Sequence, residues 1–364
     1  MSIIITSILR RFNSCSSLSL FNHYFLTIKK FELDMKKKVL VTGISGFIGH
    51  QCAVELLKNG YFVKGTVRDL GKKDEVINGI KKDVDPSDNL EFVNLNLLND
   101  KGWDEAMKGC EYVLHVASPF FMKEPSNEDE YIKPALEGTI RVLKAAQKAK
   151  VKRIVLTSSV VAMMGKIYDS NEDSGIVNAD SWTDVYSKNI NTYMKSKTLA
   201  EKGAWDFVNK QTNEDKLELV VVCPGGVMGP TLTENISGAS LETMHRMLTG
   251  HFKMSMIPPI GLPMSDVRDI AKIHVLAMTE EKAKGKRLIP TTSRAYSFME
   301  IAKILKDNGY DKVSTKKGPV FMMKIMSLFD KEVKGMLPIV GKSVGADNSE
   351  TKKIFNWEPI PFEK

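Results

Sequence analysis

Short runs of apolar, mostly β-branched residues alternate with longer amphipathic stretches over the first two thirds of the chain. Such runs are typical of strands buried on both faces of a sheet. They occur at residues 39–41, 61–67, 90–94, 112–116, 153–157 and 217–223. Helices are predicted between them, around 49–57 and over 71–85, 100–108 and 126–150. This alternation predicts an α/β fold with a doubly wound parallel sheet.

Polar residues mark two of the predicted helix starts. Asp100 precedes one helix, and Ser126 with Asp129 resembles a capping box. In a capping box a serine hydroxyl and an acidic side chain three residues later satisfy free N–H groups of the first turn. We therefore expect helices to begin at Asp100 and Ser126.

The regular alternation ends at Pro224. Residues 225–265 form loops rich in Gly, Pro and Met, a helix is predicted over 267–278, and mixed helical sequence follows. The chain is therefore divided into a leader (1–35), a dinucleotide-binding domain (36–224) and a part that is mainly a smaller substrate-binding lobe (225–364). Part of this last segment is expected to return to the first domain.

Composition narrows the class of protein. The formal charge is +8, but residues 1–37 hold six of the basic side chains against two acidic ones. The remaining charge is dispersed, without a basic run that contains aromatic residues, so nucleic-acid binding is not expected. The four cysteines lack metal-ligand spacing, and we predict no metal site. No apolar run approaches the ~20 residues of a membrane span.

The first 34 residues differ in kind from the rest. They contain Arg10-Arg11, many serines and almost no acidic residues. This composition is compatible with a mitochondrial transit peptide, and equally with a disordered leader or a start assigned too early at Met1 rather than Met35. A cytoplasmic protein is the first expectation and a mitochondrial one the second.

A glycine motif follows the first strand. Gly43, Gly46 and Gly49 lie where a strand turns into a helix, and an apolar helical pattern continues behind them. Glycines at these positions let the free N–H groups of a helix start approach an anionic pyrophosphate. The motif predicts a dinucleotide site of the Rossmann type.

The residues after the second strand bear on which dinucleotide binds. NAD-selective sites have an acidic residue at this strand end, where the chain has Val67, followed by Arg68 and Lys72. A guanidinium paired with a 2′-phosphate favours NADP. Asp69 stands against this interpretation, since it is placed for a ribose contact. NADP(H) is predicted, and NAD(H) is the less favoured alternative.

A second constellation carries the candidate chemistry. Ser158 and Ser159 follow the fifth strand, Tyr193 comes 34 residues after Ser159, and Lys197 comes four residues after Tyr193. Residues four apart share one face of a helix, so Lys197 would lie beside the Tyr193 phenol. Its charge would lower the pKa of Tyr193, making the phenol an effective acid near neutral pH. A serine hydroxyl would hold the substrate oxygen.

Together these motifs make the chain similar to the extended short-chain dehydrogenases/reductases, in particular the dihydroflavonol-reductase-like group. The resemblance begins near residue 38 and is carried by residues 42–49, 65–69, 115–119, 157–159, 193–202, 224–230 and 266–271. It implies a reductase in which Tyr193 donates the proton, Lys197 binds the nicotinamide ribose and Ser159, the later serine, orients the carbonyl.

The resemblance also implies a set of cofactor contacts. These are Gly43, Gly46, Phe47, Ile48, Gly49, Arg68, Lys72, Asn96, Leu97, Val116, Ala117, Ser118, Tyr193, Lys197, Pro224 and Val227. His115 belongs to the pattern too, but a packed histidine is expected there.

Three departures from the family pattern concern adenine and substrate. Asn96 stands where an acid usually holds the adenine amino group, and an amide oxygen can still accept that hydrogen bond. Met164 replaces an asparagine of the flavonoid-reducing relatives, which argues against dihydroflavonol. Asn191-Thr192 replaces the Asn-Trp of cinnamoyl-CoA reductases before Tyr193, which disfavours a coenzyme A thioester.

These observations predict an NADPH-dependent reductase of an aldehyde or ketone. The alternatives are a sterol or alcohol dehydrogenase, a nucleotide-sugar epimerase or dehydratase, and a sensor that binds NADP without turnover. Phe120, Phe121, Met122, Met163, Met164 and the Met-rich stretch 244–264 suggest an apolar substrate pocket or core filling. The protein is expected to act as a monomer or homodimer on a small carbonyl or alcohol.

Overall fold

The computed structural model describes residues 36–119, 125–212, 216–234, 238–249 and 256–363. The strands are β1 Lys38–Thr42, β2 Phe62–Val67, β3 Leu90–Asn94, β4 Cys110–His115, β5 Arg153–Thr157, β6 Ser174–Val177, β7 Glu218–Val222, β8 Gly226–Met228, β9 Gly261–Asp266, β10 Arg287–Leu288, β11 Ala295–Ser297 and β12 Ser343–Ala346. The α-helices are α1 Phe47–Lys58, α2 Lys73–Ile80, α3 Trp103–Met107, α4 Asp129–Lys148, α5 Gly165–Asp169, α6 Thr192–Asn209, α7 Ala239–Thr249, α8 Val267–Thr279, α9 Phe298–Asp307, α10 Val320–Met326, α11 Lys331–Met336 and α12 Ser349–Phe355. The predictions for residues 1–35, for Phe120, Phe121 and Met122 and for residues 250–255 of the Met-rich stretch lie outside the described residues.

The predicted doubly wound sheet is confirmed. Seven parallel strands lie in the order β10-β7-β5-β4-β1-β2-β3. The apolar runs form the centre of this sheet, and Val39, Leu40 and Val41 are fully buried. Strand order reverses between β1 and β4, and ligands of such sheets bind at this switch point, beyond the carboxyl ends of the strands. The glycine motif follows β1 and therefore lies at the switch point.

The predicted helix starts differ from the structure in detail. Helix α3 begins at Trp103 rather than Asp100, and α4 begins at Asp129 with no side-chain cap. Asn127 accepts the hydrogen bond of the Asp129 N–H, and the Ser126 hydroxyl accepts one from the Lys331 ammonium. The capping-box prediction was wrong because the serine binds a residue distant in sequence. Helix α2 is shorter than predicted, since a 3₁₀ turn over Leu70–Lys72 precedes it.

A smaller sheet lies outside the main one. It has the order β11-β9-β12-β6, with β8 paired to β9. Strand β6, which precedes residue 224, pairs within this smaller sheet, whereas β10, which follows residue 224, pairs with β7 of the large sheet. The segments on the two sides of residue 224 thus each contribute a strand to the other sheet, and the domain division at residue 224 stays a prediction. Within the described ranges, no helix has the length and apolar character required to cross a bilayer.

Candidate active site

The glycine turn after β1 is shaped by close backbone contacts. Gly43 has a φ of +68°, a conformation that favours glycine. A Cβ on Gly49 would lie 2.2 Å from the Gly43 carbonyl oxygen, so no larger residue fits without a backbone shift. Helix α1 starts here with no side-chain cap and no acidic residue in its first turn. Its free N–H groups and positive dipole end fit a pyrophosphate.

The end of β4 lies against this turn. The Ala117 N–H donates to the Thr42 hydroxyl oxygen at 3.0 Å, and Thr42 also bonds His115 Nδ1 at 2.8 Å. His115 is buried, which together with the Lys197 charge lowers its pKa to about 3. It packs as expected, whereas Val116, Ala117 and Ser118 retain partial exposure beside the glycines.

Apolar residues that are predicted to contact the cofactor, from segments distant in sequence, pack together beside the start of α1. Phe47 and Val227 are buried in one cluster with Val267 and Ile270, and Ile48 packs against it. The Pro224 carbonyl accepts a hydrogen bond from the Val160 N–H at 2.9 Å. This bond places the end of β7 next to the end of β5. The fold thus brings the candidates of the glycine turn, β5 and β7 to one edge of the sheet.

Arg68 and Lys72 are exposed beyond the end of β2. Among the described residues neither forms a hydrogen bond through its side chain or an ion pair, which leaves both cations available to an anionic group. Asp69 instead caps the following 3₁₀ turn, because its carboxylate accepts the Gly71 N–H at 2.8 Å. Asn96 is exposed, and its side-chain oxygen accepts the Leu98 N–H at 2.9 Å. Its neighbour Leu97 is partly buried.

Ser159, Tyr193 and Lys197 converge beyond the end of β5. The side chains of Ser159 and Tyr193 are hydrogen-bonded, and Lys197 lies one turn further along α6 with 8% of its surface exposed. Asn191 starts this helix by accepting the Met194 N–H, while its amide donates to the Gly335 carbonyl at 2.6 Å. The cap fixes where Tyr193 enters the site. Asn191 also ties this entry to α11.

Burial controls the ionisation of both groups. It raises the pKa of Tyr193 to about 12, an effect that the hydrogen bond with Ser159 opposes. It lowers the pKa of Lys197 to about 8, against the opposing influence of Cys223 and Glu201. The direction for Tyr193 differs from the expectation based on Lys197, because desolvation outweighs the hydrogen bond with Ser159. The phenol is therefore protonated at neutral pH, as a proton donor must be.

Sequence reasoning missed a buried ionic cluster beside these groups. Glu201 follows Lys197 by one helical turn, and Arg287 binds its carboxylate with a distance of 2.6 Å between Nε and Oε1. Ser158 donates to the other carboxylate oxygen at 2.5 Å. The available signal was the four-residue spacing of Tyr193, Lys197 and Glu201. Nothing local to Arg287 indicated that it reaches this helix.

The methionines proposed for a substrate pocket separate into two groups. Met163 and Met164 are 1% and 0% exposed and belong to the main core, which corresponds to core filling. Met244 and Met264, from the Met-rich stretch, line a cavity of about 400 Å³ beside α8 and α9. Ser159, Tyr193 and Lys197 do not line this cavity. The cavity therefore lies apart from the candidate catalytic residues.

Comparison of the sequence with known families and proteins identifies the class to which this fold and site belong. Residues 39–289 match the model of the NAD dependent epimerase/dehydratase family. The chain belongs to this family, and the dihydroflavonol-reductase-like resemblance is confirmed. It is 33% identical to cinnamoyl-CoA reductase CAD2 of Medicago truncatula over 74% of this chain and 80% of that protein. It is 32% identical to dihydroflavonol 4-reductase of Gerbera hybrida over 76% of this chain and 74% of that protein.

Solved structures share the fold over almost the whole chain. Gre2 of Candida albicans, crystallised as an NADPH complex, has a TM-score of 0.71 and 25% identity, covering 90% of this chain and 95% of that one. The yeast methylglyoxal/isovaleraldehyde reductase Gre2, also an NADPH complex, has a TM-score of 0.72 at 24% identity, with the same coverage. The second likeness shows the fold alone.

Proposed function

We propose that this protein is an NADPH-dependent reductase that converts an aldehyde or ketone to an alcohol. The observation that carries the proposal is the hydrogen-bonded Ser159–Tyr193 pair with Lys197 one turn further along α6. It lies at the sheet edge where the glycine turn fits a pyrophosphate. The NADPH complex of the Candida albicans Gre2 and the reductase names of the curated relatives support the same activity.

Each side chain has a distinct task in this proposal. The glycine turn, with Phe47, Ile48 and Val227, holds the dinucleotide, and NADPH supplies the hydride. Ser159 orients the carbonyl oxygen toward the phenol. Tyr193 gives its proton to that oxygen, which its raised pKa permits because the phenol stays protonated. Lys197 binds the nicotinamide ribose and, while charged, stabilises the phenolate that remains.

A carbonyl panel tests the activity directly. The purified protein is first titrated with NADPH and with NADH, and cofactor oxidation is then followed with aldehydes, ketones, a dihydroflavonol and a coenzyme A thioester. We expect tighter binding of NADPH and turnover of the simple apolar carbonyls. Binding without oxidation across the panel would contradict the reductase and favour the sensor.

Cofactor preference depends on Arg68 in this proposal. An Arg68→Ala variant should raise the KM for NADPH roughly ten- to hundredfold, because a charged hydrogen bond to phosphate contributes about 1.5–3 kcal/mol. The KM for NADH should not change, since NADH lacks the 2′-phosphate. Lys81→Ala, another exposed cation at the end of α2, is the matched control. Equal effects on both cofactors would show that Arg68 does not read the 2′-phosphate.

A further inference from the structure

Glu201 is a buried carboxylate that the proposed reaction does not use. It is 1% exposed, and a carboxylate so far from water is costly unless its charge is paired and its oxygens accept hydrogen bonds. Arg287 provides the pair through two contacts, Nε to Oε1 at 2.6 Å and Nη2 to Oε2 at 3.3 Å. The Trp205 indole donates to Oε1 at 3.3 Å and Ser158 to Oε2 at 2.5 Å. The carboxylate is therefore fully engaged.

Arg287 is itself held in one orientation. Its Nη1 donates to the carbonyls of Ala179 and Ser181 at 2.7 and 2.6 Å, and its guanidinium stacks 3.8 Å from the centre of the Trp182 ring. It begins β10, the strand that returns from the second half of the chain. The pair with Glu201 thus connects this strand, the 179–182 loop and helix α6.

The cluster is continuous with the catalytic groups on two sides. Tyr193, Lys197 and Glu201 follow one another at four-residue spacing, so they share one face of α6. At the end of β5, Ser158 bonds Glu201 and the adjacent Ser159 bonds Tyr193. Two successive serines therefore attach the same strand end to the same helix face.

We propose that Glu201 is a positioning residue of the reaction, which fixes Ser159 against Tyr193 through Ser158 and keeps the Lys197 ammonium charged. This inference rests on the proposed function. Glu201, paired with Arg287, places its carboxylate one helical turn from Lys197 on α6. The substrate oxygen then meets the hydroxyl and the phenol in one geometry, and misplacement of such groups by about 1 Å can cost a hundredfold in rate.

The charge balance around Lys197 involves several elements. Glu201 acts on it from α6, Cys223 from the end of β7 and His115 from the end of β4. Tyr193 shares its face of α6. Arg287 on β10 lies behind Glu201. Since burial lowers the pKa of Lys197 and Glu201 raises it, removing the carboxylate should lower that pKa further. Activity that requires the ammonium would then be lost at lower pH.

The test compares Glu201→Gln with Glu218→Gln in the full-length protein. Glu218 also pairs with a buried arginine: Arg153 Nη2 lies 2.7 Å from Glu218 Oε2. Glu218 is the first residue of β7, so it lies at the end of that strand opposite to the site. In Glu201→Gln we expect kcat to fall about ten- to hundredfold. The alkaline limb of its pH–rate profile should move to a pH about one unit lower. A nearby charge can shift a pKa by about this much at an effective dielectric constant near 20. Glu218→Gln should leave the limb in place.

Two further measurements separate positioning from a purely structural role. Ser158→Ala keeps the charge of Glu201 and breaks its link to β5, so kcat should fall while the alkaline limb stays where it is. Competitive acetylation with acetic anhydride, read by peptide mass spectrometry, gives the Lys197 pKa without turnover and should show the same decrease in Glu201→Gln. If Glu201→Gln lowers only the melting temperature and changes neither the limb nor the labelling, the inference is wrong. A wild-type protein that reduces no carbonyl would contradict the proposed function. The acetylation experiment would still show whether Glu201 controls the pKa of Lys197.

Discussion

Replacing Tyr193 by phenylalanine should abolish most carbonyl reduction while leaving the cofactor bound. The substitution removes only the hydroxyl that bonds Ser159 and preserves the ring that packs at the start of α6. A positioned general acid contributes about a hundred- to ten-thousandfold to the rate, and kcat/KM should fall by that factor. NADPH titration by fluorescence should give an unchanged dissociation constant. Stopped-flow absorbance under single-turnover conditions should place the loss in the chemical step.

The chain offers a matched control for this variant. Tyr310 is 49% exposed and follows α9 in the second half of the chain, away from the site. Tyr310→Phe removes the same hydroxyl and should retain full activity. If Tyr193→Phe kept wild-type kcat/KM, another group would have to protonate the substrate, and the mechanism proposed for this site would be wrong.

Replacing Gly49 by alanine should weaken cofactor binding about tenfold or more. The new methyl group would lie 2.2 Å from the Gly43 oxygen and 2.9 Å from its carbonyl carbon, and both atoms are backbone. The turn must therefore open, which moves the free N–H groups of α1 away from the pyrophosphate. We expect the dissociation constant of NADPH to rise about tenfold or more, equivalent to about 1.4 kcal/mol of binding energy. The free energy of unfolding should fall by roughly 1–3 kcal/mol, the usual cost of overpacking.

Gly238→Ala is the control for this second variant. Among the described residues, a Cβ at Gly238 would meet no atom within 4 Å, so binding and stability should equal those of the wild type. Calorimetric titration with NADPH measures the first quantity, and urea denaturation the second. A Gly49→Ala protein that bound NADPH normally would show that the dinucleotide does not lie on this turn.

Several elements followed from local sequence alone. A short, mostly β-branched run such as 153–157 favours a strand buried on both faces of a sheet, and glycines at 43, 46 and 49 serve a turn that side chains would block. Both properties depend on residues close together in the chain. The fold class, the position of the phosphate turn and the shared helix face of Tyr193 and Lys197 were therefore predictable. The roles of the individual site residues stay predictions.

Tertiary structure decided the remaining features, because they depend on partners far apart in sequence. Ser126 bonds Lys331 and does not cap its helix, and Arg287 reaches Glu201 across 86 residues. Desolvation depends on the whole shell of neighbours, so the raised pKa of Tyr193 was not visible in its motif. Sequence by itself determined the fold class and the place of the glycine turn at the switch point of the sheet. Only the packed chain determined which charges surround the phenol and the ammonium there, since burial and long-range pairing set their free energies.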